Sequence, residues 1–136
     1  MLACRARPAV RQDRAVLVVT RHAVDPAARP EFLTRAAAAI AALASQPGCL
    51  RATVGLAVDD PGLVVVLSEW ASVGAYRRAL SSYEVKLHAV PLLLTARDEP
   101  SAFEPVLADG PDGPARWDPD RAADADEAFP SRAGGS

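Results

Sequence analysis

The chain has 136 residues, half of them apolar, and a formal net charge of −2. At that length one domain with a real core is expected, no apolar run approaches the roughly 18 residues a membrane span needs, and no dense basic face with interleaved aromatics marks a nucleic-acid surface. The only two cysteines, Cys4 and Cys49, give no disulfide framework, which fits a reducing cytoplasm.

The charge is unevenly spread. Residues 109–136 hold seven acids and three arginines, a balance of −4, which leaves +2 for residues 1–108. Residues 1–13 carry Arg5, Arg7 and Arg11 with little apolar pattern and read as a flexible basic arm. Arg14–His22 (RAVLVVTRH) is an apolar, β-branched run, the first strand. Alternation puts Val16, Val18, Thr20 and His22 on one face and Ala15, Leu17, Val19 and Arg21 on the other, so both faces need cover. Asp25-Pro26 breaks the strand, and Pro30 suits the first turn of a helix running to about Ser45. Leu33, Ala36, Ala37, Ile40, Leu43 and Ala44 form its expected stripe. Gln46-Pro47-Gly48 stops it, and Cys49–Val58 is a second strand with Leu50, Ala52, Val54, Leu56 and Val58 on one face. Asp59-Asp60-Pro61-Gly62 is a turn, with Gly62 free to take a positive φ.

Leu63–Leu67 is a wholly apolar third strand running into a helix that Ser72 can cap, with Val73, Tyr76 and Leu80 at helical spacing. Ser81 and Glu84 have capping-box spacing for a further helix, whose stripe is expected to be Tyr83, Leu87, Val90 and Leu94, with Pro91 kinking or ending it. Ala102–Leu107 reads as a weak last strand that Pro105 confines to an edge. From Asp109 onward Pro, Gly, Asp and Ala dominate, and residues 109–136 read as a disordered acidic tail. The domain is thus residues 14–108, in the order β-α-β-β-α-β. That is an α+β, ferredoxin-like fold: an antiparallel sheet with helices on one face, its other face apolar and suited to a second copy.

The element order, the Gln46-Pro47-Gly48-Cys49 step, Ser68-Glu69-Trp70 at the end of the third strand and the Tyr76–Leu80 helix resemble the antibiotic biosynthesis monooxygenase domain, of the dimeric α+β barrel superfamily. The likeness covers roughly residues 14–107. It implies a homodimer with a small apolar pocket between sheet and helices. It also implies oxidation of a planar phenol- or anthrone-like compound by O2 with no flavin, haem or metal. Trp70 and Tyr76 match a pocket-lining Trp and Tyr of the aromatic-polyketide oxygenases. An Asn on the first strand of several active members has no counterpart, and Thr20, Arg21 or His22 stands there instead. The haem-degrading branch has a His about ten residues past the Trp; position 80 is Leu and His88 comes too late.

Each candidate has a plainer alternative. Trp70 can stack on a planar ring or simply plug the strand-to-helix corner. Tyr76 can hold a phenolate or lie on an amphipathic helix with its hydroxyl in water. His88, four residues after Glu84, and His22, at the end of the first strand, are the two possible general bases; each can equally be an unremarkable surface residue. Thr20, Arg77 and Tyr83 are candidates to contact substrate, and Cys49 is a structural thiol before it is a reactive one. There is no phosphate loop, no nucleophile elbow and no metal-ligand spacing, so neither cofactor nor metal is expected. The function read here is cofactor-independent oxidation of a small aromatic. Two alternatives stand beside it: a non-enzymatic small-molecule-binding or accessory dimer, and a polyketide cyclase.

Overall fold

A computed structural model describes residues 15–118. The basic arm at 1–13 and the tail from 119 onward lie outside the described residues. The described chain falls into two compact units, one ending at Phe103 and the other beginning at Glu104.

The first unit runs β1 (Val16–Ala23), a 3-10 turn (Pro26–Ala28), α1 (Arg29–Ala44), β2 (Cys49–Leu56), β3 (Leu63–Trp70), α2 (Val73–Leu80), α3 (Tyr83–His88), α4 (Val90–Leu93) and β4 (Ala102–Phe103). The sheet order is β2-β3-β1-β4, antiparallel throughout. This is the ferredoxin-like α+β arrangement expected from the element order.

β1 and β3 pair along their whole length, from Val16 opposite Trp70 to Ala23 opposite Leu63. Strict alternation follows from the period of two. Val16, Val18, Thr20 and His22 on β1, and Val64, Val66, Ser68 and Trp70 on β3, are buried on the helix side. Leu17, Val19, Val65 and Leu67 lie on the opposite face and stay partly exposed. Ala36 and Ala39 of α1, both fully buried, let that helix sit close to the sheet.

Several local expectations shift. The α1 stripe is Phe32, Ala36, Ala39, Ala42 and Leu43, with Ala37 exposed, because Phe32 rather than Leu33 leads the inward face. β2 stops at Leu56, and a bulge between Cys49 and Arg51 turns Leu50 out, so of the expected stripe only Ala52 and Val54 pack inward, with Cys49 beside them. Gly62 keeps an ordinary φ: the Asp60 carboxylate accepts its N–H at 2.9 Å and closes the turn instead. Gly48 is the glycine that needs its freedom, with φ 90° and the place of a Cβ only 2.5 Å from Ala75 Cβ.

Ser82, not Ser81, caps α3 by accepting the Val85 N–H. The one-residue slip turns the helix, so Val85, Ala89 and Leu92 are buried while Tyr83, Leu87 and Leu94 face outward. Pro91 sits in the first turn of α4, where its missing N–H costs nothing, and the chain breaks at Ala89 as expected. β4 is shorter than expected: Pro100 and Pro105, which cannot donate to a ladder, bracket Ala102–Phe103.

In the second unit, β5 (Leu107–Ala108) pairs with β6 (Ala115–Arg116). The start of the stretch expected to be disordered is therefore a hairpin. Its Gly and Pro residues act as turn chemistry, with Gly113 at φ 93° donating to the Gly110 carbonyl.

Candidate functional site

Two constellations form on the helix-facing side of the sheet, at opposite ends of β1 and β3.

The first is the corner where β3 enters α2. Ser72 caps the helix by accepting the Ala75 N–H, and the Ala71 N–H is held by the Gly48 carbonyl at 2.8 Å. These fix the backbone on both sides of Trp70. Its indole N–H donates to Ser68 Oγ at 2.8 Å, and the residue is fully buried. Tyr76, one turn into α2, lies with its ring centroid 5.5 Å from that of Trp70 at 50°. Burial pushes the Tyr76 phenol above its usual range, so at neutral pH it is a hydrogen-bond donor and not a base.

The second constellation surrounds His22. Thr20 Oγ1 is 2.9 Å from His22 Nε2 and 3.4 Å from the Val66 carbonyl. His22 Nδ1 is 3.0 Å from Thr95 Oγ1, and Thr95 donates to the Leu92 carbonyl at 2.7 Å. Phe32 of α1 packs on the imidazole, centroids 5.4 Å apart. With a neutral imidazole, Thr20 O–H to Nε2, Nδ1–H to Thr95 and Thr95 O–H to Leu92 satisfies both ring nitrogens and gives up only the long 3.4 Å contact of Thr20 with the Val66 carbonyl. The neutral Nδ1–H tautomer is assigned on that network. Burial lowers the His22 pKa below its ordinary value, which keeps it neutral at pH 7. Beside the network opens a cavity of about 280 Å3, walled by Val24, Asp25, Glu31, Phe32, Arg35 and Thr95.

The expected residues therefore do not converge on one point. Trp70 pairs with Val16 and His22 with Val64, six residues along the strands, or about 20 Å. Trp70 and Tyr76 come together, as do Thr20 and His22. His88 pairs with Glu84 at 3.6 Å on an exposed face of α3, Tyr83 points to solvent, and Arg77 is exposed on α2. Burial raises the half-buried Cys49 thiol, which favours the unreactive protonated form. Ser68 is marked in the sequence only as part of the Ser68-Glu69-Trp70 motif, and Phe32 and Thr95 carry no mark there. Thr95 had no signal to find, since its partner is 73 residues away. A larger open hollow of about 510 Å3 lies along β5 and β6, with no aromatic or histidine in its wall.

Among the described residues, no group of three or more His, Cys, Asp or Glu is placed to hold a metal, and no helix is long and apolar enough to cross a membrane.

Comparison with curated proteins found no match. Among solved structures, the chain is similar to a variant of SnoaB, a cofactor-independent oxygenase from Streptomyces nogalater. The identity is 31%, over 68% of this chain and 93% of that one, with a TM-score of 0.57. A conserved protein from Methanosarcina mazei Go1 (23% identity, 67% and 92% covered, TM-score 0.57) and a protein from Mycobacterium tuberculosis (19%, 68% and 95%, TM-score 0.55) share the fold. The family described as antibiotic biosynthesis monooxygenase matches residues 15–89, more than half of the chain and the whole span from β1 to the end of α3. With its sheet order, the Trp70 corner and that match in agreement, the chain belongs to the antibiotic biosynthesis monooxygenase family.

Proposed function

We propose that this protein is a homodimeric, cofactor-independent monooxygenase that oxidises a small planar phenol- or anthrone-like compound with O2. The observation that carries the reading is its likeness to a cofactor-independent oxygenase, at 31% identity over nearly the full length of that protein. The protein's part is to exclude water, orient the ring and manage one proton. Loss of that proton gives a phenolate or carbanion, which passes one electron to O2. The resulting radicals combine in a C–O bond, and the hydroperoxide loses water to leave a carbonyl, so that a CH2 group and O2 become C=O and H2O.

Tyr76, held protonated and tilted at 50° against Trp70, can donate a hydrogen bond at the β3–α2 corner, but not to a ligand whose proton goes to His22, about 20 Å away along the strands. Thr20 and His22 form the part of the helix-facing surface that can accept a proton. The dimer is supported by the face the helices leave open. Leu17, Val19, Val65 and Leu67 line it, with Phe103 48% exposed at its edge, and sheet-on-sheet packing with a second copy would bury them.

Turnover of an anthrone under isotopically labelled O2 tests the reaction. One labelled atom in the product carbonyl is expected; a carbonyl labelled only from water would contradict it. One observation favours a binding or accessory role instead. Trp70 is fully buried with its N–H already committed to Ser68, so it offers no free face to a ligand. Saturable binding of anthrones with no product would establish that role.

A further inference from the structure

His22 is 1% exposed, and burying an imidazole is costly unless both nitrogens are matched. Among the described residues its partners are two hydroxyls and not a carboxylate. Each hydroxyl has a second acceptor in reach, Val66 O for Thr20 and Leu92 O for Thr95. The network can therefore house either neutral tautomer or the imidazolium by turning two O–H bonds. Thr95 and Phe32 belong both to this network and to the wall of the 280 Å3 cavity. A buried base thus communicates with an open cavity through a single hydroxyl.

The charged groups around it are Asp25 before the 3-10 turn and Glu31 and Arg35 on α1, with Arg29 beside them and Arg97 on the chain returning along β1. Those in the cavity wall sum to −1 (Asp25 and Glu31 against Arg35), which disfavours a ligand that arrives as an anion. The Asp25 carboxylate is occupied by the Ala27 N–H. Phe32 supplies a ring face, and the volume, at the small end for ligand pockets, suits one or two fused rings.

We propose that this cavity binds a small neutral hydroxy-aromatic, its hydroxyl donated to Thr95 Oγ1, and that His22 takes the ligand's proton through Thr95. The transfer starts from the tautomer with Nε2–H on Thr20 and the Thr95 O–H turned onto Nδ1. The ligand O–H bond breaks as its proton moves to Thr95 Oγ1, while the Thr95 proton moves to Nδ1. A phenolate and an imidazolium remain, joined across Thr95, with no net gain or loss of atoms or electrons. His22 is on this account a positioning and proton-holding residue, and Thr95 the group that touches ligand. The assignment of ligand class rests on the oxygenase reading, but the binding and the proton route do not require O2.

The test is titration of the full chain with 4-nitrophenol under nitrogen, followed by visible absorbance and by the imidazole NMR signals. His22 and His88 are the only histidines, and exposed His88 serves as an internal control. Expected, at a pH below the phenol's own pKa, are a gain of phenolate absorbance as the bound neutral phenol gives up its proton, and a shift of the His22 signals toward those of an imidazolium with those of His88 unmoved. Thr95→Val should weaken binding about five- to tenfold and abolish the His22 shift, whereas Thr95→Ser should retain both. Binding that leaves His22 unmoved, equal binding by folded Thr95→Val, or no binding to wild type would each overturn the proposal. Nitrophenol bound as expected by a protein that never consumes O2 upholds this site and sinks the oxygenase. Oxygen consumption unchanged in Thr95→Val does the reverse.

Discussion

An indole buried at a sheet-to-helix corner loses its water, and Ser68, two residues back on the same face, replaces it as acceptor for the Trp70 N–H. Much of the worth of Trp70 is therefore packing. Trp70→Ala should cost about 3–5 kcal/mol in urea unfolding, and Trp70→Phe clearly less, since the ring contact with Tyr76 survives. Equal losses for the two would show that the indole N–H, not the ring, holds the corner. His22 makes a different claim, about pH. Its folded pKa lies below its unfolded value of about 6.5, so below that pH the unfolded chain binds a proton the folded chain refuses. Stability from this group is complete above pH 6.5 and declines as the pH falls from there toward the folded pKa. Thermal unfolding from pH 7.5 to 5 should show that decline, and His22→Gln should flatten it. A His22 signal titrating at or above 6.5 would contradict the burial. The sequence marked both residues by type, but not how they are used. Burial of a side chain depends on what packs over it, and for His22 that is Phe32 and Thr95, from distant parts of the chain.

Among the elements, strands were more legible than helices. β1 and β3 alternate so strictly that their faces follow from the sequence, because a period of two leaves no third choice. A helix stripe instead depends on where the helix starts, and a single residue turns it by about 100°. Ser81 and Ser82 illustrate this: the capping-box spacing favoured the first, while the Val85 N–H points to the second. Ser82→Ala should cost about 1 kcal/mol and Ser81→Ala little; the reverse order in chemical denaturation would restore the capping box at Ser81. Gly48 shows the same dependence on neighbours. The Pro-Gly step is visible in sequence, but the approach of Ala75 is not. Gly48→Ala should destabilise by about 2–4 kcal/mol, the sum of a strained φ and a clash on α2, and a neutral substitution would refute the close packing.

The four-stranded sheet has one face covered by helices and one, with Leu17, Val19, Val65 and Leu67 partly exposed, that the proposed dimer would cover. Val65 and Leu67 sit centrally on that open face, away from the buried core. Leu67→Arg should yield a folded monomer by sedimentation, with far-UV circular dichroism unchanged. A wild-type monomer at micromolar concentration would remove the dimer from the account. The fold class was legible because element order and apolar patterning are properties of the chain itself. The site was less so, because it joins residues separated by up to 73 positions and opens at the opposite end of the sheet from the Trp70 corner. The most direct test of the central claim is oxygen uptake by metal-free protein with anthrone- and naphthol-type substrates. The account predicts uptake of one O2 per carbonyl formed, lost on unfolding. A folded protein that binds these compounds yet consumes no oxygen would contradict it.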